Sequence, residues 1–436
     1  MTRGRLAFLA TLGSAALAFD ALAADTVIRN ARIVTVSGPV IERGSVLISG
    51  ARIAAIGADV AVPPGAVVID GSGKTVYPGL IDGLTRIGLV EIGQGAAGTV
   101  DSNETGDVNP HAKAWVAVHP HSELIPVARA NGVTAVLSAP GGGLISGQSA
   151  LIRLAGSTPE SLVVKTPVGM HMVFPTGRPS FDFAQAAQQD PELRTFEERQ
   201  RERRRNQEKD LAKLKNLLEE AKAYGAALEA AKAGQAERPK PDPVMEALAP
   251  VARGELAVVM RADNEEDIKA AVKFADERKL KLIVAGGLEA WRCTELLKQK
   301  DVPVLVNVDR LPRRESDAYD AAYANAAALQ RAGVRFAIVS DDASQVRNLP
   351  YEAAMARAYG LSADAAIRSI TLSPAEIFGV QSRMGSLETG KDANLFLATG
   401  DIMDHRSQVT HVFIDGVPQS LETRHTRLYN EFKARP

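Results

Sequence analysis

The chain has 436 residues, of which 51 are Lys or Arg and 52 are Asp or Glu, so its formal net charge is −1. A chain without a basic excess lacks the electrostatic attraction that dominates binding to nucleic acid or to an acidic membrane, and we expect neither as a main partner. The single cysteine, Cys293, has no partner for an internal disulfide bond, so packing must supply the stability.

The first two dozen residues have the pattern of an export signal. Arg3 and Arg5 precede an apolar stretch at residues 6–19 that is too short to span a bilayer, and Ala21-Leu22-Ala23 offers a small-x-small cleavage site. We predict cleavage after Ala23, a periplasmic location and no membrane contact for the mature chain. An uncleaved membrane anchor is the alternative, but no stop-transfer pattern follows the apolar stretch.

Short β-branched runs separated by Gly, Asn and Pro fill residues 25–77 and return at residues 385–420. Such runs, with turn residues between them, predict short strands of a meander or sandwich. Because both ends of the chain show the same pattern of short β-branched runs between turn residues, we predict that they build one small β-sandwich domain together.

Between these ends, at residues 78–384, buried-strand runs alternate with helical stretches. This alternation predicts an α/β fold, and its length favours a (β/α)8 TIM-type barrel. A doubly wound open sheet is the alternative fold. It requires a glycine-rich turn that leads into a helix, whereas the glycines at 141–143 precede Leu144-Ile145-Ser146.

A charged, alanine-rich segment at residues 192–243 lies outside the barrel pattern. Leu211, Leu214 and Leu218 are three or four residues apart, which predicts a helical insert with one apolar stripe. The stripe either packs on the chain's own barrel or forms a contact surface for another chain. The second alternative predicts an oligomer that Asp substitutions at these leucines dissociate without touching the core.

Several segments, taken in order, resemble the amidohydrolase superfamily and, within it, the imidazolonepropionase-like branch. They are Tyr77-Pro78-Gly79-Leu80-Ile81-Asp82, Gly147-Gln148-Ser149, Gly286-Gly287-Leu288-Glu289-Ala290-Trp291, Ser340-Asp341, Thr371-Leu372-Ser373-Pro374-Ala375 and the residues from Met384 to Asn394. The resemblance covers essentially the whole mature chain and implies a barrel beside a β-domain. It also implies hydrolysis of an amide or related C–N bond by a metal-activated water, from which an aspartate removes a proton.

Carried over residue by residue, the resemblance places the metal-ligand positions on residues that do not bind metals. The His-x-His pair of the first barrel strand falls on Leu84 and Arg86, the histidine of strand five on Arg261, and the histidine of strand six at Gly286. Leucine and glycine offer no side-chain donor and arginine is a fixed cation, so we predict no metal and no other cofactor. Only the aspartate remains, as Asp341, the candidate catalytic residue.

Three further side chains are candidates for the barrel mouth. Arg86 and Arg261 are candidate substrate-binding residues with Asp341 as their counter-ion, and they form either a structural plug or a pocket for a carboxylate ligand. His171 follows the presumed fourth strand and is a further candidate to face the mouth. Lys165 is either a partner of Asp341 or a surface lysine.

Three functions remain open at this point. The loss of several ligand positions favours a catalytically degenerate protein that serves as the partner subunit of a ligand-complete amidohydrolase homologue, or that associates with itself. The second function is an active exported hydrolase of cyclic amide or peptide-like C–N bonds that uses Asp341 with no metal or a non-standard one. The third is a carboxylate-ligand-binding protein that uses the arginine-lined mouth.

Overall fold

The computed structural model describes residues 24–93, 96–175, 196–308, 314 and 316–435. The predicted export signal at residues 1–23 and the first residues of the predicted insert, 192–195, lie outside these ranges. No helix within the described part of the chain is long and apolar enough to cross a membrane.

The strands, in chain order, are β1 (Thr26–Ile33), β2 (Ile41–Ser49), β3 (Arg52–Gly57), β4 (Val67–Asp70), β5 (Thr75–Pro78), β6 (Leu80–Thr85), β7 (Val133–Ser138), β8 (Ile145–Gln148), β9 (Ala150–Arg153), β10 (Val163–Lys165), β11 (Gly169–Val173), β12 (Ala257–Ala262), β13 (Leu282–Gly286), β14 (Val304–Val306), β15 (Phe336–Ile338), β16 (Leu395–Ala398), β17 (Val409–Ile414) and β18 (Val417–Gln419).

The helices are α1 (Ala114–Ala117), α2 (Leu124–Arg129), α3 (Pro159–Leu162), α4 (Phe196–Lys232), α5 (Pro243–Ala252), α6 (Glu265–Arg278), α7 (Thr294–Gln299), α8 (Ala321–Ala332), α9 (Leu349–Ala358), α10 (Ala363–Ser369), α11 (Leu372–Ile377) and α12 (Arg424–Phe432). Short 3₁₀ turns occur at Ala97–Thr99, Ala290–Arg292 and Val346–Asn348.

Both ends of the chain contribute strands to one eight-stranded sheet. Its order is β18-β17-β16-β5-β1-β2-β3, with β4 added to β1. The two ends meet where β5 pairs antiparallel with β16, which places Pro78 opposite Leu395 and Val76 opposite Leu397. The strand pairing defines this single sheet, so the two-layered sandwich stays a prediction.

The central strands form two further sheets, with the orders β10-β9-β7-β6 and β15-β14-β13-β12-β11-β8. Strands β11 to β15 are parallel to one another, and β6 is parallel to β7. Strands β8 and β9, in contrast, run antiparallel to β11 and β7. The strand pairing therefore gives two arcs in place of the single parallel ring that the sequence predicts.

Backbone hydrogen bonds join the two arcs at both edges. Ser149, between β8 and β9, donates its N–H to the carbonyl of Gly169 at 3.0 Å and accepts from the N–H of Val168 at 3.0 Å. At the other edge, the N–H of Asp341 donates to the carbonyl of Leu84 at 3.0 Å. The strands of both arcs thus surround one interior.

Side chains alternate between this interior and the helices outside. One buried cluster collects inward residues from both arcs, among them Ile81, Leu137, Leu151, Val259, Ile283, Leu305 and Ala337. Their sequence neighbours Val136, Val258, Val284, Val304 and Ile338 belong to the cluster that packs against the helices. Because successive strand residues point to opposite faces, this division is what a side-chain-filled barrel requires.

The charged insert forms a helical hairpin in which α4 packs on α5. Leu214 and Leu218 of α4 are buried in the same cluster as Leu248 and Val251 of α5. Helix α5 begins at a proline, and Asp242 caps it by accepting hydrogen bonds from the first backbone N–H groups. The expectation that Asp at Leu214 and Leu218 would leave the core untouched is therefore wrong.

Candidate functional site

The carboxyl ends of the central strands bring the four candidate residues to one mouth. Arg86 directly follows β6, His171 lies within β11, Arg261 lies near the end of β12, and Asp341 follows β15. The charges of Arg261, Asp341 and Arg86 all act on the ring of His171. These elements point the same way because parallel strands end at one rim of a barrel.

Arg261 and Asp341 form an ion pair in the middle of this mouth. Nη2 of Arg261 donates to Oδ1 of Asp341 at 2.5 Å, and the Arg261 side chain keeps 37% of its surface exposed. The carboxylate of Asp341 raises the pKa of Arg261 against the opposing effect of burial, and Asp263 raises it further. Arg261 is therefore a permanent cation between two carboxylates.

Asp263 occupies the space at the strand-six ligand position. Gly286 ends β13 with a φ of +90°, and a Cβ built on it would lie 3.0 Å from Cγ of Asp263, closer still to its Oδ1, and 3.5 Å from Nη1 of Arg261. Only a residue without a side chain fits there. Sequence reasoning missed Asp263, although its place two residues after Arg261 puts it on the same face of the strand end.

The two first-strand ligand positions also lack donors for a metal. Leu84 is buried in the barrel interior cluster. Arg86 is exposed and lies against Gly141, where a Cβ would approach its Nη2 to 2.9 Å. Within the described ranges, no other side chain forms an ion pair or hydrogen bond with Arg86.

The residues of the mouth do not fit a divalent metal ion. The four positions that the family resemblance assigns to metal ligands hold an apolar side chain, two guanidinium groups and a glycine, and a cation beside a dication is repulsive. No three His, Cys, Asp or Glu side chains converge as a metal centre would need, at least among the residues that the structure describes. The absence of a bound metal remains a prediction for experiment.

His171 is a neutral ring at the mouth. Burial, followed by the positive charge of Arg261, lowers its pKa to about 3. Its Nε2 is buried and has no hydrogen-bond partner among the described residues. The ring is therefore a buried, neutral neighbour of Arg261, with one ring nitrogen unsatisfied among the described residues.

Asp82, in the first half of β6, connects two strands of the mouth. Its Oδ1 accepts from the backbone N–H groups of Leu84 and Ser340, both at 3.2 Å, and its Oδ2 accepts from the hydroxyl of Ser340. Complete burial raises its pKa to about 7, against the lowering effect of these hydrogen bonds. Asp82 thus joins β6 to the residue that precedes Asp341.

Two features lie away from the mouth. Lys165, for which the sequence left open a pairing with Asp341 or a place on the surface, is partly buried and donates from Nζ to the carbonyl of Phe378 at 2.6 Å. A cavity of about 400 Å³ is lined by Ala257 and Leu282, at the amino ends of β12 and β13. It opens at the opposite end of the strands from the four candidate residues.

The sequence profile of the Amidohydrolase family matches residues 75–418. The chain belongs to the amidohydrolase family. A curated relative, Amidohydrolase tasK of Hapsidospora irregularis, is 23% identical over 387 residues, which cover 82% of this chain and 38% of that protein. The chain therefore spans well under half the length of this relative.

Solved structures of the family have the same overall fold. An amidohydrolase from Thermotoga maritima MSB8 is 28% identical, with a TM-score of 0.78 over 91% of this chain and 99% of that chain. A prolidase solved with N-methylphosphonate-L-proline is 16% identical, with a TM-score of 0.54 over 91% and 99% of the two chains. Phenylurea hydrolase B is 17% identical, with a TM-score of 0.55 over 91% and 97%.

These matches support a TIM-barrel-type fold and a relation to hydrolases. Below 25% identity the likeness to the prolidase and to phenylurea hydrolase B shows the fold alone. The assignment to the imidazolonepropionase-like branch is finer than these matches, so it stays a prediction.

Proposed function

We propose that this chain is a catalytically degenerate member of the amidohydrolase family, in which an ion pair takes the place of a catalytic metal. The contact between Arg261 and Asp341 at 2.5 Å carries this proposal. A free carboxylate is needed to remove a proton from water, and a charge-assisted hydrogen bond to a guanidinium stabilises the paired form by about 1.5–3 kcal/mol. The ion pair thus opposes the one catalytic group that remains.

Without ligands for a metal, the mouth also lacks the group that would polarise the substrate. Metal polarisation lowers the barrier to hydrolysis by several kcal/mol. Neither Leu84 nor Gly286 can supply a replacement, because neither side chain carries a polar atom. The two losses, of the free base and of the electrophile, act on the same reaction step.

For such a barrel we propose the role of a periplasmic partner subunit, beside a ligand-complete amidohydrolase homologue or a second copy of itself. The support is that the Amidohydrolase family profile matches residues 75–418, whereas the four positions that the resemblance assigns to metal ligands hold Leu84, Arg86, Arg261 and Gly286. The surface that would contact the partner lies outside the Leu214 and Leu218 stripe, because that stripe is buried against α5.

Metal analysis combined with a hydrolase assay tests the degenerate state. The chain from residue 24 onward, purified with zinc present and then dialysed, should retain well under one equivalent of metal. It should show no hydrolysis of cyclic amides or dipeptides above the buffer rate. Stoichiometric zinc or manganese that survives dialysis and is lost in Asp341→Asn would show that the ligands were misplaced.

An active hydrolase of C–N bonds is the alternative, supported by the retained Asp341 and by the prolidase and phenylurea hydrolase among the structural neighbours. In that case the Arg261–Asp341 pair must open on substrate binding. Hydrolysis by the wild-type chain that disappears in Asp341→Asn, with an unchanged melting temperature, would favour this alternative over the degenerate protein.

A carboxylate-binding mouth is the second candidate function, and the exposed Arg86 favours it. Its guanidinium and that of the partly exposed Arg261 offer two sets of N–H donors to one anion. Calorimetric titration with small carboxylic acids should detect binding that Arg86→Met weakens by about tenfold or more. Arg29→Met, which removes an exposed arginine of the terminal sheet, is the matched control and should leave the affinity unchanged.

A further inference from the structure

The C-terminal helix α12 turns its apolar side chains to solvent. Leu428 is 46% exposed, Tyr429 69% and Phe432 42%, and no residue of the helix is buried. Successive residues of an α-helix are about 100° apart, so these three side chains fall within an arc of about 100°. The helix therefore has one continuous apolar face that the described part of the chain leaves uncovered.

The opposite side of α12 is held to the body of the protein by polar contacts. Nη2 of Arg427 donates to Oε1 of Glu123 at 2.7 Å. Just before the helix, Nη2 of Arg129 donates to the carbonyl of Ser420 at 3.4 Å, and the buried Thr423 caps the first turn. A surface helix normally does the reverse and packs its apolar face inward.

Three basic residues, Arg424, Lys433 and Arg435, flank the apolar face, whereas Arg427 lies on the opposite side with Glu123. The one acidic residue of this segment, Glu431, lies 3.6 Å from Arg435. Nζ of Lys433 lies 5.5 Å from the ring centre of Tyr429, and Cζ of Arg435 lies 3.8 Å from that of Phe432. The segment is therefore basic although the net charge of the whole chain is close to zero.

The apolar and basic side chains of α12 indicate which kind of partner fits this face. A second copy placed symmetrically on α12 would bring the same basic side chains together, which is repulsive. An anionic lipid surface offers phosphates to the cations and an apolar layer to Leu428, Tyr429 and Phe432. Short basic helices with aromatic and leucine side chains on one face bind such surfaces.

We propose that α12 docks this chain on an anionic phospholipid surface, with its apolar face inserted between the headgroups and its basic residues on the phosphates. The proposal does not depend on whether the mouth hydrolyses or binds anything. It departs from the expectation, drawn from the net charge of the whole chain, that the mature protein makes no membrane contact.

Vesicle co-sedimentation tests this proposal. The chain from residue 24 onward, which contains every described element, is mixed with vesicles of phosphatidylcholine alone or with added phosphatidylglycerol. We expect binding only to the anionic vesicles, and weaker binding at high salt. The double variant Leu428→Ser with Phe432→Ser should bind about tenfold less. Its melting temperature should not change, because both side chains are exposed.

The matched control replaces two exposed valines elsewhere, Val67→Ser with Val116→Ser, and should bind like the wild type. Equal binding to both vesicle types, no binding to either, or full binding by the Leu428 and Phe432 variant would each overturn the proposal. So would light scattering that shows a dimer without vesicles and a monomer for that variant, because the face would then belong to a second copy.

Discussion

Replacing Asp82 by Asn should remove a pH-dependent loss of stability that the wild-type chain carries. Asp82 is completely buried, and burial raises its pKa from 3.8 to about 7. Asparagine keeps every hydrogen bond at this place. Its oxygen can accept from Leu84 and Ser340, its amide can donate to the hydroxyl of Ser340, and that hydroxyl can donate to the carbonyl of Asp342, which lies 3.1 Å away.

The direction of the effect follows from the raised pKa. The folded chain holds the proton on Asp82 more tightly than the unfolded chain does, so the resulting stability is fully present below the unfolded pKa. It is lost as the pH rises through the folded value of about 7. Between about pH 5 and about pH 8 the loss comes to about 2–3 kcal/mol. The asparagine of the variant does not titrate, so the variant shows none of this loss.

Urea unfolding of both proteins at the two pH values measures the difference. His171 contributes with the opposite sign. Its pKa is lowered from 6.5 to about 3, so its contribution to folding stability is present above pH 6.5 and is lost as the pH falls. The comparison of variant with wild type cancels this contribution. Between about pH 5 and about pH 8, we expect the free energy of unfolding of Asp82→Asn to rise by about 2–3 kcal/mol relative to that of the wild type. If the difference in unfolding free energy between variant and wild type stays constant or changes in the opposite direction, the three hydrogen-bond donors keep Asp82 ionised. Burial would then not dominate the pKa of Asp82.

Two substitutions test the packing. Gly286→Ala should lower the free energy of unfolding by about 2–4 kcal/mol, measured in urea, because the added Cβ clashes with Asp263 and the positive φ is strained. The control Gly390→Ala, at a φ of +91° with open space around it, should lower it by only about 1–2 kcal/mol. Equal losses for the two variants would contradict the clash. Leu214→Asp should lower the free energy of unfolding by more than about 3 kcal/mol because it buries a charge. The control Ala223→Asp, on the exposed face of α4, should change the melting temperature little. A folded Leu214→Asp protein of wild-type stability would contradict the α4–α5 packing.

The barrel strands were readable from the sequence because each is a local apolar run between turn residues. The apolar run at residues 133–137 lies in β7, and the run at residues 282–284 forms the first part of β13. The reversed segment that contains β8 and β9 was not foreseen. Its direction depends on which strands it pairs with, and alternation of apolar residues is the same for parallel and antiparallel neighbours.

The partners of the predicted features were harder to foresee than the features themselves. The stripe of α4 was correctly placed by its spacing, but α5, which covers it, begins with one proline and contains another at Pro250. Asp263 escaped notice because its role depends on the missing side chain of Gly286, which is distant in sequence. Such relations arise only when separate strand ends meet at one rim.

Three carboxyl groups of the mouth are accommodated in two ways, by burial and by the positive charge of a guanidinium group. Asp82 is buried and favours its protonated form as its pKa rises to about 7. Asp341 is neutralised by the guanidinium of Arg261, and Asp263 lies on the other side of the same cation. A dication placed here would compete with Arg261 for both carboxylates. Under the proposed assignment of ligand positions, changing Leu84 and Arg86 to histidine would add donors without creating a metal site, because the positive charge of Arg261 remains beside Asp341.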